Sequence, residues 1–333
     1  MADVALTKKD FTSDQEVKWC PGCGDYSILS TMQSYLPELG IERENIVFIS
    51  GIGCSSRFPY YLDTFGMHSI HGRAPTIATG LAISRPDLTV FVITGDGDSL
   101  SIGGNHLIHS LRRNIEIKIL LFNNRIYGLT KGQYSPTSEQ GKITKSTPLG
   151  SLDTPFNPIS LALGAEASFV ARTVDSDRKH LTETLRAASA HKGSALIEIY
   201  QNCPIFNDGA FDIVKDSETK GGALLQMIHG QPIKSDTHGL IHAGASLKVV
   251  GLNSVPDSDL VVHDAHNPDP AYAFALSRIA ASELDHVPIG VFRDVERSGY
   301  GSMVNGQVAD IITKQGAGDL HTLLTSGDTW KVS

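Results

Sequence analysis

Apolar residues recur along the first two hundred positions with two distinct spacings. Continuous, β-branched-rich runs at 46–50 (IVFIS), 89–94 (TVFVIT), 115–122 (IEIKILLF), 168–174 and 195–200 (ALIEIY) read as strands buried on both faces. Between them lie segments read as helices: 75–84, ending before Pro86; 99–113; and 178–191, with Leu181 and Leu185 on one face. Strands alternating with helices predict an α/β fold built on a doubly wound parallel sheet. Residues 124–158 break the pattern. They are rich in Gly, Ser, Thr, Pro and Lys with little apolar periodicity, and a loop that long inside a compact domain is usually functional. After Pro204 the pattern is irregular, with short strands expected at 248–251 and 288–293 and helices at 269–281 and 308–314. The chain thus divides into a main domain, 1–210, and a C-terminal extension, 211–333, packed on it.

Composition narrows the setting. The chain has 333 residues, 41% hydrophobic and 19% charged, which is a globular composition. It has no apolar run long enough to cross a membrane, and residues 1–11 lack the apolar core of a signal peptide, so a cytoplasmic location is expected. A net charge of −8 disfavours nucleic acid and anionic membranes as partners.

The most informative stretch is Gly95-Asp96-Gly97, at the end of one predicted strand, followed by Asn123-Asn124 at the end of the next. Alone, such a tripeptide is most often a turn. Here a helix is expected from Ser99, and two strand ends bring Asp96 and Asn124 to the carboxyl edge of the sheet, where open α/β sheets bind ligands. One carboxylate (Asp96), one amide oxygen (Asn124) and one backbone carbonyl (Ile126) suit a magnesium ion that keeps room for two phosphate oxygens and a water. The glycines allow close approach of a diphosphate, and the helix start favours its charge. Gly53, Ser55 and Asp98 are further candidate cofactor contacts.

The four cysteines are Cys20, Cys23, Cys54 and Cys203. Cys54 and Cys203 each follow a predicted strand, so they share an edge with the proposed magnesium site. Four thiolates hold either zinc or a [4Fe–4S] cluster, and spacing alone does not separate the two. Proximity to the cofactor edge favours an electron carrier.

Together the segments WCPGCGD (19–25), GIGCSSR (51–57), HSIHGRA (68–74), GDGDSLSIGGNH (95–106), FNNRIYGLTKGQYSPT (122–137) and QNCP (201–204) resemble the beta subunits of 2-oxoacid:ferredoxin oxidoreductases. The resemblance covers about residues 15–215 and extends more loosely through the tail. It implies a diphosphate-type thiamine-diphosphate-binding domain and one [4Fe–4S] cluster on Cys20, Cys23, Cys54 and Cys203. It also implies an alpha subunit that supplies the other half of the active site, in a heterodimer or a dimer of heterodimers. The reaction implied is decarboxylation of a 2-oxoacid, with electrons passing through the cluster to ferredoxin and the acyl group to coenzyme A, reversible as reductive carboxylation. The family puts His71 and Arg73 near the cofactor. Lys131, seven residues past Asn124, is expected to pair with the distal carboxylate of 2-oxoglutarate. That makes 2-oxoglutarate the expected substrate, with pyruvate or a broad 2-oxoacid range as the alternative. Two other readings compete. A non-redox thiamine enzyme normally carries both thiamine domains on one longer chain and needs no cysteine tetrad. A zinc-stabilised interaction module would be non-catalytic.

Overall fold

The computed structural model describes residues 6–244, 246–279 and 284–332. Its centre is an eight-stranded sheet. The strands are β1 (Ile46–Ser50), β2 (Phe65–His68), β3 (Thr89–Gly95), β4 (Lys118–Asn123), β5 (Phe169–Val174), β6 (Ala195–Tyr200), β7 (Leu224–Met227) and β10 (Val287–Asp294), in the order β2-β1-β3-β4-β6-β5-β10-β7. The first six run parallel. β10 pairs antiparallel with β5, and β7 parallel with β10. The remaining strands, β8 (His238–Ala243) and β9 (Ser246–Gly251), form a separate antiparallel pair.

Side chains alternate across a strand, and here both faces are covered. Val47, Ile49, Val92, Ile119, Leu121, Val170 and Leu196 enter one core; Phe48, Phe91, Ile93, Leu120, Phe122, Ile197 and Ile199 enter the other. Helices α1 (Asp25–Tyr35) and α6 (Arg178–Ala190) close the second face, and α2 (Ala74–Ser84), α4 (Gly104–Arg112) and α5 (Pro158–Gly164) the first. This two-sided burial is why β4, β5 and β6, buried at every position, are legible as unbroken apolar runs. β2 is an exposed edge strand and leaves no such mark.

The expected helix 99–113 is two helices. α3 spans Asp96–Leu100, so helix begins inside the G-D-G rather than at Ser99, and α4 starts at Gly104. Ser101 is non-helical, and the 71–72 loop presses on the break: a Cβ on Gly72 would lie 2.6 Å from the Gly103 nitrogen. The expected strand 115–122 begins only at Lys118. Beyond residue 210 the chain adds β7 and β10 to the sheet. The helix expected at 269–281 spans Pro270–Ser277, and residues 280 and 281 of that expectation lie outside the described residues. The helix expected at 308–314 is longer, Tyr300–Gln315. Among the described residues no helix is long and apolar enough to cross a membrane.

Candidate functional site

The loops after β1, β3 and β4 meet at the carboxyl edge of the sheet around a cavity of about 130 Å³. Its wall includes Gly53, Cys54, Ser55, His71, Gly95, Asp96, Gly97, Asp98, Asn124 and Ile126, so the structure brings together most of the residues singled out from sequence.

Asp96 is 2% exposed. Its Oδ2 accepts from the Ser135 hydroxyl at 2.5 Å and the Thr137 hydroxyl at 2.6 Å. Burial raises its pKa, with the two hydroxyls opposing the rise. A carboxylate buried this way gains from a cation beside it, which suits a magnesium ligand. Asn124 lies opposite: its Oδ1 accepts from the Ile126 N–H at 3.2 Å, and its amide nitrogen donates to Gln201 Oε1 at 2.9 Å. Ser135 and Thr137 belong to the long Gly/Ser/Thr loop, which therefore folds back onto Asp96. Sequence reading reached the loop but not these two hydroxyls, nor Gln201.

Asp98 lines the cavity, yet its carboxylate is fully engaged. Oδ1 accepts from Ile52 N (3.0 Å), Gly72 N (2.7 Å) and His71 Nδ1 (2.5 Å), and Oδ2 from the Thr94 hydroxyl (2.7 Å). It pins two loops to the end of β3 and turns His71 so that Nδ1 is occupied and Nε2 is the nitrogen left for other partners. Arg73 is not in the wall; its guanidinium donates to the His71 and Ile102 carbonyls. Lys131 is exposed, with φ +76°, and is not in the wall either, although Leu129 and Thr130 are. A second cavity of about 650 Å³ shares Ile52, Gly53 and Leu129 with the first and is lined further by Lys18, Arg57, Tyr60 and His68.

The cysteines gather beside the first cavity. The Trp19 indole N–H donates to the Cys54 carbonyl at 2.7 Å, tying the Cys20–Cys23 turn to the loop after β1. Gly24 N donates to the Asn202 carbonyl at 3.1 Å, tying the same turn to the end of β6. Only glycine fits there, because a Cβ would lie 1.9 Å from an Asp175 carboxylate oxygen. A Cβ on Gly128 would lie 3.5 Å from Cys54 Sγ and 3.6 Å from Cys203 Sγ, so two of the thiols flank a residue of the cavity wall. All four cysteines are free thiols. Burial pushes the Cys54 thiol up to about 12, and the Cys23 and Cys203 thiols also upward, with the Asp25 carboxylate adding to each. Asp25, fully buried beside them, is itself pushed up to about 7 by burial.

Thiolates in such surroundings require a positive counter-charge, and iron bound to all four would supply it. Cys54 and Cys203 flank Gly128, and Trp19 and Gly24 dock the Cys20–Cys23 turn beside them, so the four cysteines are gathered as the ligands of a metal centre would be.

Residues 51–199, which run from the loop after β1 into β6 and carry the Asp96–Asn124 site, match the family described as thiamine pyrophosphate enzyme, C-terminal TPP binding domain, so the sheet is that of a thiamine-diphosphate-binding domain. The 2-oxoglutarate oxidoreductase subunit KorB of Mycobacterium tuberculosis is 62% identical over 329 residues, covering 97% of this chain and 88% of that protein. A 2-oxoacid:ferredoxin oxidoreductase subunit beta from a Sulfolobus species is 47% identical over 57% of this chain and 63% of its own length. Among solved structures, 2-oxoglutarate:ferredoxin oxidoreductase from Magnetococcus marinus, with 2-oxoglutarate, coenzyme A and succinyl-CoA bound, is similar with a TM-score of 0.76 and 31% identity over 97% of each chain. The chain belongs to the beta subunits of the 2-oxoacid:ferredoxin oxidoreductases.

Proposed function

We propose that this chain is the beta subunit of a 2-oxoglutarate:ferredoxin oxidoreductase, forming succinyl-CoA and carbon dioxide from 2-oxoglutarate and coenzyme A, and reversible as reductive carboxylation. The observation that carries the reading is the adjacency of the Asp96–Asn124 cavity and the cysteine group across Gly128. Its substrate assignment is supported by the 62% identity to a 2-oxoglutarate oxidoreductase subunit.

In this reading Asp96, Asn124 and the Ile126 carbonyl hold magnesium, and through it the diphosphate of the cofactor. Cys20, Cys23, Cys54 and Cys203 hold one [4Fe–4S] cluster. Thiamine diphosphate, when bound, supplies the electron sink for loss of carbon dioxide from the 2-oxoacid. The chain's own residues position and neutralise. Ser135 and Thr137 orient the Asp96 carboxylate. Asp98 holds the loops and presents His71 to the cavity. The alpha subunit contributes the pyrimidine half of the site, and ferredoxin accepts the electrons.

Three cations stand near the entrance: Lys18 and Arg57 in the wall of the second cavity, and Lys131 exposed just beyond Leu129 and Thr130. Lys18 is paired with Glu16 of the same wall, which leaves Arg57 and Lys131. We assign contact with the distal carboxylate of 2-oxoglutarate to this pair, with Arg57 the stronger because it already lines the space. The test of the whole reading is metal and sulfide analysis of the anaerobically purified protein together with substrate profiling. Iron and sulfide near four each per chain, and turnover of 2-oxoglutarate ahead of pyruvate, are expected. Zinc near one per chain would overturn the redox assignment. Preference for pyruvate would replace the substrate with the broader alternative.

A further inference from the structure

One buried side chain touches both halves of the proposed site. Gln201 follows β6, is 1% exposed, and is held by its backbone N–H to the Asn123 carbonyl at 3.0 Å. Its Oε1 accepts from Asn124 Nδ2 at 2.9 Å. Its Nε2 donates to Cys23 Sγ at 3.2 Å and to the Asn202 carbonyl. The orientation of both amides follows from their neighbours. The Asn202 carbonyl only accepts, so the Gln201 nitrogen must face it, and Oε1 must then face Asn124. The Ile126 N–H only donates, so Asn124 must meet it with oxygen. Among the described residues no other side chain hydrogen-bonds the side chains of both a proposed magnesium ligand and a proposed cluster ligand.

We propose that Gln201 is a positioning residue serving both centres at once; the proposal rests on the reading above. By accepting from Asn124 Nδ2 it fixes which end of that amide is turned away from it, namely the oxygen, the only end able to ligate a cation. By donating to Cys23 Sγ it stabilises negative charge on that sulfur. An N–H bond to a cluster sulfur favours the reduced, more negative state and so raises the reduction potential. The two effects share one rigid amide, so a change that loosens the magnesium ligand also shifts the electron acceptor beside it.

Two substitutions separate the functions in the intact complex of this chain with its alpha subunit. Gln201→Glu keeps an acceptor for Asn124 but offers no N–H to Cys23. Gln201→Leu offers neither. The cluster midpoint potential, followed by EPR, is expected to move to more negative values in both variants. Affinity for magnesium thiamine diphosphate is expected to fall about 10- to 100-fold in Gln201→Leu, the range for lost outer partners of a metal ligand, and to stay near wild type in Gln201→Glu. The added charge of Gln201→Glu also lowers a nearby potential, so the shift in the uncharged Gln201→Leu is the one a merely structural glutamine would not give. If Gln201→Leu fails to assemble, Gln201→Met, uncharged and close to glutamine in size, takes its place. A full complement of iron with an unmoved potential in Gln201→Glu overturns the proposal, as does unchanged cofactor affinity in an assembled Gln201→Leu. A wild-type complex lacking iron and sulfide would instead overturn the functional reading, and this inference with it.

Discussion

Burial sets the terms for Asp96. Its carboxylate is enclosed and met by two hydroxyls, so Asp96→Ala removes the one charged ligand of the proposed magnesium site while leaving the strands around it intact. Loss of thiamine diphosphate binding in equilibrium dialysis, with a near-native circular dichroism spectrum, is expected; wild-type affinity would refute the assignment. Ser135→Ala and Thr137→Val act one step further out and should each weaken cofactor affinity by about 10- to 100-fold. At the entrance, Arg57→Ala should reduce kcat/KM for 2-oxoglutarate by about 2–5 kcal/mol, the range for removing one partner of an enclosed charge pair, and leave pyruvate turnover nearly unchanged. Lys131→Ala should cost less, because that side chain starts in solvent. Equal losses on both substrates would mean that these cations act on the cofactor or the fold. The residue types at this site were legible because their chemistry is sparse: a carboxylate and an amide at adjacent strand ends, and four thiols with no spare. Arg57, Ser135, Thr137 and Gln201 were not, because nothing in a hydroxyl, an amide or a surface-type cation says which buried group it will meet.

Among the elements, β4, β5 and β6 were readable because both their faces are buried, whereas α1 and β2 were missed. The α1 pattern is polar-interrupted, with Thr31 and Gln33 buried among its apolar residues, and β2 has no buried face. The split of the predicted helix at Ser101–Gly103 depends on pressure from a loop thirty residues away in sequence, which periodicity does not register. The same crowding makes a prediction at Gly97: a Cβ there would lie 2.1 Å from the Tyr127 ring. Gly97→Ala must displace that ring from the cavity wall, at about 1–3 kcal/mol for overpacking, and lower cofactor affinity; full affinity would mean that the wall yields freely. Between β5 and β6, Arg172 is paired with Glu198 at 2.7 Å, both almost wholly buried. Arg172→Met leaves that carboxylate uncompensated and should destabilise the chain by about 3–5 kcal/mol, measurable as a lowered unfolding midpoint in urea. A midpoint within error of wild type would contradict that role for the pair.

At the scale of the whole molecule, the sheet places every proposed ligand on one edge. The cysteine turn 20–23, far from that edge in sequence, is held to it by Trp19, Gly24 and the Gln201–Cys23 bond. Residues 51–199 match the C-terminal TPP binding domain of the thiamine pyrophosphate enzymes, and in the proposed reading the alpha subunit supplies the complementary half of the site. The most direct measurement is anaerobic reduction of ferredoxin by 2-oxoglutarate and coenzyme A, with this chain alone, the alpha subunit alone, and the two together. The account predicts reduction only by the two together, dependent on coenzyme A and on magnesium thiamine diphosphate. Reduction by this chain alone, or none by the assembled, cluster-loaded complex with any 2-oxoacid, would contradict it.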